Sequence, residues 1–285
     1  MASFEDRSAE EVALARSIVT YHGDDGKSAR MDLLYGQFLK AGDLAFDIGS
    51  HVGDRIASFR RLGCRVVALE PQTGPASVIK RLFATDRDVT LLMHACGAKE
   101  GTITFNINSR NPTVSTASTA FIAAAAGAGG WEDQTWDRSI PVPCTTLDQL
   151  IAKHGRPAFA KIDVEGFEDT VLAGLSEPLP ALSFEFTTIQ RDVAERCLAR
   201  LAALGPYRFD IALGESQVLT FGRGLGADDK RGFGADDKRG LGAEDTRGLG
   251  AEDTRGLGAE EMARYIRDLP HEANSGDIYA RLLEQ

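Results

Sequence analysis

The chain has 285 residues, with 32 basic and 42 acidic side chains and a net charge of −10. That balance excludes a globally basic nucleic-acid footprint, and the length is enough to bury a sizeable core without disulfide or metal staples. No run of eighteen apolar residues occurs, so no membrane span is predicted.

The N-terminal stretch is charged throughout and carries no apolar signal-peptide region. Cys64, Cys96, Cys144 and Cys197 show no CxxC spacing and read as reduced thiols of a cytoplasmic protein. Ser8 with Glu11 three places later is a capping box opening a helix near 9–20. A second helix is predicted over 29–40. Next come an apolar strand at 44–49, a helix at 53–62, a strand at 65–70, a helix at 77–83 and strands at 89–95 and 101–107. Residues 108–138 hold both tryptophans and an Ala/Gly-rich run that reads as a hinge or a short helix with a Gly stop. Beyond it, a strand at 139–144 leads to a capping pattern at Thr145 and Asp148 and a helix. A strand and turn are expected at 159–166 and further strands at 181–186, 207–213, 218–221 and 277–282, with helices after 166 and at 190–204.

One segment departs from this alternation. Residues 223–261 consist of four eight-residue units of the type RGLGAEDT and a truncated fifth. Gly at every second and fourth place beside paired acids cannot build a core, so the segment reads as a solvated insertion. The period of eight and the missing Gly-Gly pair argue against a calcium-binding β-helix. Helical spacing resumes at Met262, Ile266 and Leu269. The expected organisation is a helical segment at 1–40, a core at 41–222, the repeat insertion at 223–261, and a final helix and strand of the core at 262–285.

Strands separated by helices imply βαβ units: an α/β fold with a mostly parallel sheet and helices on both faces. Ligands of such folds sit beyond the carboxyl ends of the strands. Two strand ends carry chemistry there. Asp47, Gly49, Ser50, His51 and Gly53 form a DxGxxxG turn that opens a helix. A carboxylate ahead of the first Gly repels a pyrophosphate but suits a sulfonium or ammonium group. Glu70, followed by Pro71 and Gln72, ends the next strand and can accept hydrogen bonds from a ribose diol. The pair suggests S-adenosyl-L-methionine. The second signal is KIDVEGFE, in which alternation puts Lys161, Asp163 and Glu165 on one side of a strand. Buried charges there must be paired or used, and one acid could accept the proton of a hydroxyl. Glu185 ends the following strand on the same rim. Asp163 and Glu185 could share a divalent metal through oxygen, but no third carboxylate or histidine is clearly placed beside them, so no metal is assigned.

FDIGSHVGDR, VVALEPQ, TTLDQLI, AFAKIDVEGFEDTVLAGL and LSFEF together resemble the FkbM-type methyltransferases over about residues 20–222, and the likeness resumes at GDIYARL. The resemblance implies a class I, Rossmann-like, S-adenosylmethionine-dependent methyltransferase acting on a hydroxyl oxygen of a small metabolite, sugar or glycolipid. It places Asp47, Gly49, Ser50 and Gly53 on the cofactor loop, with His51 where the family often has Asn. Glu70 falls on the ribose-binding acid, with Pro71 and Gln72 after it. Cys96 and Gly97 fall at the adenine edge, Asp163 near the methyl donor and Glu165 on the paired acid. Asp163, Glu165 and Glu185 are the candidate catalytic set, with His94 and His51 as weaker bases. The eight-residue repeats are foreign to the family pattern. Two other functions fit parts of the sequence: a catalytically inactive binding protein that uses its repeats for interactions, and an NAD-dependent oxidoreductase, which Asp47 disfavours. No nucleic-acid partner is expected, and the oligomeric state is left open.

Overall fold

The computed structural model describes residues 8–221 and 256–283. Helix α1 (Ala9–His22) opens on the expected capping box, in which the Glu11 carboxylate accepts the Ser8 N–H at 2.9 Å. Helix α2 (Asp25–Tyr35) begins earlier than the pattern suggests, because Asp24 caps it by accepting the Lys27 N–H at 3.0 Å. The βα alternation then runs β1 (Leu44–Ile48), α3 (Asp54–Arg61), β2 (Arg65–Leu69), α4 (Thr73–Leu82) and β3 (Val89–Leu92).

The strand expected at 89–95 is broken. Its end, β4 (Ala95–Cys96), leaves the main sheet and joins β5 (Gly101–Ile107) and β6 (Arg138–Thr145) in a second, three-stranded sheet. Strand β6 is central yet contains Pro141 and Pro143. It tolerates them because β4 pairs only with Cys144 and Thr145, leaving the proline stretch bonded on one side. Between β5 and β6 the Ala-rich run forms the short helix α5 (Thr119–Ala125), capped by Ser118 and followed by Gly127 at φ +84°.

The chain returns through α6 (Leu147–His154), β7 (Phe159–Ile162), α7 (Glu168–Ala173), β8 (Ala181–Thr187), α8 (Arg191–Leu204) and β9 (Tyr207–Leu213), and ends with α9 (Ala259–Asp268) and β10 (Ser275–Leu282). The cap of α6 is Thr146 with Gln149, one residue beyond the expected pair, Thr145 and Asp148. Asp148 instead accepts the Ser176 N–H at 2.9 Å. Residues 218–221 form no strand; the Thr220 N–H donates to the Ile211 carbonyl at 2.7 Å and the Phe221 N–H to Asp210 at 3.1 Å. Most of the eight-residue repeats lie outside the described residues. Their last residues join the fold, where Leu257 bridges antiparallel to Phe209 and Ala259 begins α9.

The seven-stranded sheet has the order β3-β2-β1-β7-β8-β10-β9, parallel except for β10, which runs against both neighbours. Each face buries its own apolar layer. Helices α2, α3 and α4 cover one face with Met31, Tyr35, Phe59 and Ile79, and α6 to α9 cover the other with Leu150, Leu172, Leu198 and Ile266. The parallel strands read as near-continuous apolar runs because both faces are covered. The strand order reverses between β1 and β7, so both strands end at the same crevice.

Candidate active site

The carboxyl ends of β1, β2, β7 and β8 open into one cleft of about 950 Å³, its mouth included. At the end of β1 the chain turns through Asp47–Gly53. The N–H groups of Gly49 and Ser50 both donate to the Leu69 carbonyl at 3.0 Å, and the Ser50 hydroxyl donates to the Asp47 carbonyl at 2.8 Å. Gly49 has φ +89°, and a Cβ there would lie 1.7 Å from the Asp163 carbonyl oxygen. Only glycine lets β1 and β7 approach so closely.

Asp47 is 1% exposed, and its Oδ2 has no hydrogen-bond partner among the described residues. Burial pushes its carboxyl up to about 7. Glu70, 3% exposed, accepts the His51 N–H at 2.9 Å on one oxygen and the Gln72 N–H at 2.8 Å on the other. Burial raises it to about 8 despite those two bonds. Each Glu70 oxygen keeps a further acceptor site. His51 sits at φ +44°, packs edge-on to Tyr21 and is driven by burial down to about 4, so it is neutral and suited to contact rather than to proton uptake.

Beside β1, strand β7 delivers Lys161 and then Asp163 to the same cleft. Lys161 is 1% exposed, and its ammonium donates to Asp163 at 3.0 Å and to Asp277 of β10 at 2.7 Å. Burial opposes its charge, but the two aspartates outweigh burial and hold it well above the usual lysine range. The strand ends at Ile162, so Glu165 reaches the cleft through a turn and not through strand alternation. Glu165 has φ +56° and Gly166 φ +79°, a left-handed turn beyond the strand end. Thr116 holds that turn by donating to the Glu165 carbonyl at 2.8 Å. Burial first, and then the neighbouring carboxylates, push Glu165 and Glu185 well above the usual range. One oxygen each of Asp163, Glu165 and Glu185 lies within 4.8 Å of the others. Glu165 therefore completes a three-carboxylate cluster with Asp163 and Glu185.

Most expected residues line this cleft: Asp47, Gly49, Ser50, His51, Glu70, Pro71, Gln72, Cys96, Asp163, Glu165 and Glu185. Two do not. Gly53, at φ +83°, caps α3, and a Cβ there would press on Ile79 and Phe83. Gly97 packs behind the wall against Cys144 and Phe167. Of the weaker bases, His94 also lines the cleft. Residues that the sequence reading missed include Tyr21 from α1, Arg55 from α3 and Glu215 after β9. Burial opposes ionisation of Glu215, yet Arg55 and Lys27 together pull it down to about 2. No local pattern announces these groups, because three distant segments bring them together.

The cleft fits S-adenosylmethionine on its own atoms. An unpartnered buried carboxylate oxygen of Asp47 awaits a cation, and Glu70 has acceptor capacity left for a diol. A family model described as the methyltransferase FkbM domain matches residues 47–197, and the chain belongs to that family. Its fold is that of the class I S-adenosylmethionine-dependent methyltransferases, Rossmann-like and mostly parallel. No curated protein matches the chain. Among solved structures it is similar to precorrin-6Y C5,15-methyltransferase from Geobacter metallireducens, at 14% identity, with 64% of this chain and 72% of that one covered and a TM-score of 0.37. A TehB-like SAM-dependent methyltransferase from Corynebacterium glutamicum matches at 10% identity, 73% and 89% coverage and a TM-score of 0.39. An rRNA methylase from Streptococcus thermophilus matches at 8% identity, 89% and 94% coverage and a TM-score of 0.39. Likenesses this loose carry nothing about substrate. Among the described residues no helix is long and apolar enough to cross a membrane.

Proposed function

We propose that the protein methylates a hydroxyl oxygen of a small metabolite, sugar or glycolipid. The observation that carries this is the convergence of Asp163, Glu165 and Glu185 in the cleft that Asp47 and Glu70 also line. S-adenosylmethionine, when bound, supplies an already activated methyl group, so the protein's work is chiefly position and electrostatics. Asp47 meets the cationic tail and Glu70 the ribose, while Ser50, His51, Pro71, Gln72 and Cys96 shape the walls around them. On the acceptor side one carboxylate would take the hydroxyl proton as the oxygen is methylated. Glu165 suits that task in its ionised form, because it is buried in the cleft beside Asp163 and Glu185. Asp163, fixed by Lys161, and Glu185 orient the acceptor. Gly49 and Gly53 act through backbone shape.

The cleft continues toward a more open groove between α1 and residues 110–135, with Tyr21 and Thr113 lining both. The groove is lined by Arg16, Asn111, Glu132 and Gln134, which suits a hydroxylated acceptor better than an apolar one. The four cysteines are free and buried, which supports the reducing, cytoplasmic setting. The test is methyl transfer from isotopically labelled S-adenosylmethionine to a panel of sugars, glycolipids and hydroxylated metabolites, read by mass spectrometry. Label on an acceptor oxygen supports the proposal. Label only on nitrogen or carbon acceptors would overturn the O-methylation.

A further inference from the structure

We propose that Asp163, Glu165 and Glu185 hold one divalent cation of the hard, oxygen-preferring class at the acceptor end of the cleft. The first ground is distance. Two oxygens bound to the same cation are at most twice the metal–oxygen length apart, about 4–5 Å for bonds of roughly 2.0–2.6 Å. The three carboxylates each present one oxygen within 4.8 Å of the others, which is that span.

The second ground is an unmet charge. Glu165 is 7% exposed, and among the described residues its side chain makes no hydrogen bond or ion pair; its backbone carbonyl is engaged by Thr116. Glu185 Oε2 is buried and also without a partner. Burying an unpaired carboxylate is costly, and proteins avoid it. The neighbouring Glu168 shows how this fold treats a structural acid: buried at 2% exposure, it accepts the N–H groups of Val164 at 3.0 Å and Gly166 at 3.3 Å. Glu165 and Glu185 receive nothing comparable. Lys161 does not supply the missing charge, since both its ion pairs go to aspartates, Asp163 and Asp277. Fully ionised, Asp163, Glu165, Glu185 and Asp277 against one ammonium would carry three uncompensated negative charges, and a divalent cation would reduce them to one.

All ligands are carboxylate oxygen, with no sulfur or imidazole in the set, which favours Mg²⁺, Mn²⁺ or Ca²⁺ over Zn²⁺. The three carboxylates line the cleft, so the remaining coordination positions face the space where an acceptor enters. What the cation does rests on the methyltransferase proposal: it would bind the acceptor hydroxyl and acidify it. Whether it binds does not rest on that proposal.

The experiment is Mn²⁺ titration of the EDTA-stripped full chain, read by electron paramagnetic resonance, with S-adenosylhomocysteine binding measured by calorimetry on the same sample. One Mn²⁺ per chain is expected, competed by Mg²⁺ and weakened at least about tenfold by Glu165→Gln and by Glu185→Gln. Both variants keep the acidic repeats of 223–261, so binding that persists in both overturns the proposal, as does no binding to the wild type. Should a variant fail to fold, Fe²⁺–ascorbate cleavage of the wild type locates the site. Cuts near 163–166 and 185 support the proposal, and cuts confined to 223–261 overturn it. S-adenosylhomocysteine binding without Mn²⁺ binding sinks the cation site alone, and Mn²⁺ binding without S-adenosylhomocysteine binding sinks the methyltransferase proposal alone.

Discussion

Glu70→Gln separates two roles of one carboxylate. Its oxygens each accept a backbone N–H, from His51 at 2.9 Å and from Gln72 at 2.8 Å. A glutamine offers only one oxygen, so its NH₂ must face one of those N–H groups. A buried donor left unsatisfied costs about 1–3 kcal/mol, and this cost falls on free and bound protein alike. It therefore appears as lost stability in urea unfolding. The charge is lost only to the ligand. A charge-assisted hydrogen bond contributes about 1.5–3 kcal/mol, so weakening two ribose contacts should lower affinity by about 2–4 kcal/mol, or roughly 30- to 1,000-fold. Calorimetry with S-adenosylhomocysteine checks this at about pH 8.5, above the value near 8 where free Glu70 holds its proton. Glu70→Asp keeps the charge but shortens the reach, and should fall between the two. Affinity within about threefold of wild type for Glu70→Gln, with stability reduced as worked above, would refute the ribose role and leave Glu70 a structural clamp of its turn.

Three further outcomes follow from the same geometry. Lys161→Met leaves buried Asp277 and partly buried Asp163 without their cation and should cost about 3–5 kcal/mol in chemical denaturation; a loss below about 1 kcal/mol would mean that water already reaches the pair. Gly49→Ala sets a methyl against the Asp163 carbonyl at φ +89°, and should cost more than about 3 kcal/mol or abolish soluble expression. The pH dependence has a definite sign. Free Asp47 and Glu70 hold protons up to about 7 and about 8, whereas the unfolded chain releases them near 3.8 and 4.5. The native state thus binds more protons across that window, so ligand-free stability is greatest at its acid end and falls as pH rises, by about 1.4 kcal/mol per unit for each fully titrating group. S-adenosylhomocysteine, whose ammonium favours ionised Asp47, should bind more tightly as pH rises through 7. Melting temperatures with and without ligand, from about pH 5 to 8.5, would show the two opposed slopes.

Local chemistry was legible in the chain itself. The β1 and β2 runs, the Ser8–Glu11 box, Asp47 before a glycine turn and Glu70 at a strand end are all short-range patterns whose physics needs no distant partner. They carried the fold class, the cofactor and most of the cleft residues. Where two local solutions compete, tertiary contact decided. Thr146 rather than Thr145 caps α6, and 89–95 splits because Ala95 and Cys96 pair with β6 instead of continuing β3. The acceptor wall was less legible still. Asp277 reaches Lys161 only because β10 enters the sheet beside β8 from 116 residues away. Glu165 joins Asp163 and Glu185 only through a left-handed turn, and strand alternation gives no sign of that turn. Sequence spacing determines which face of an element a residue takes. Which charges share a buried space, and which are left without a partner there, is fixed only when the sheet closes and water is removed.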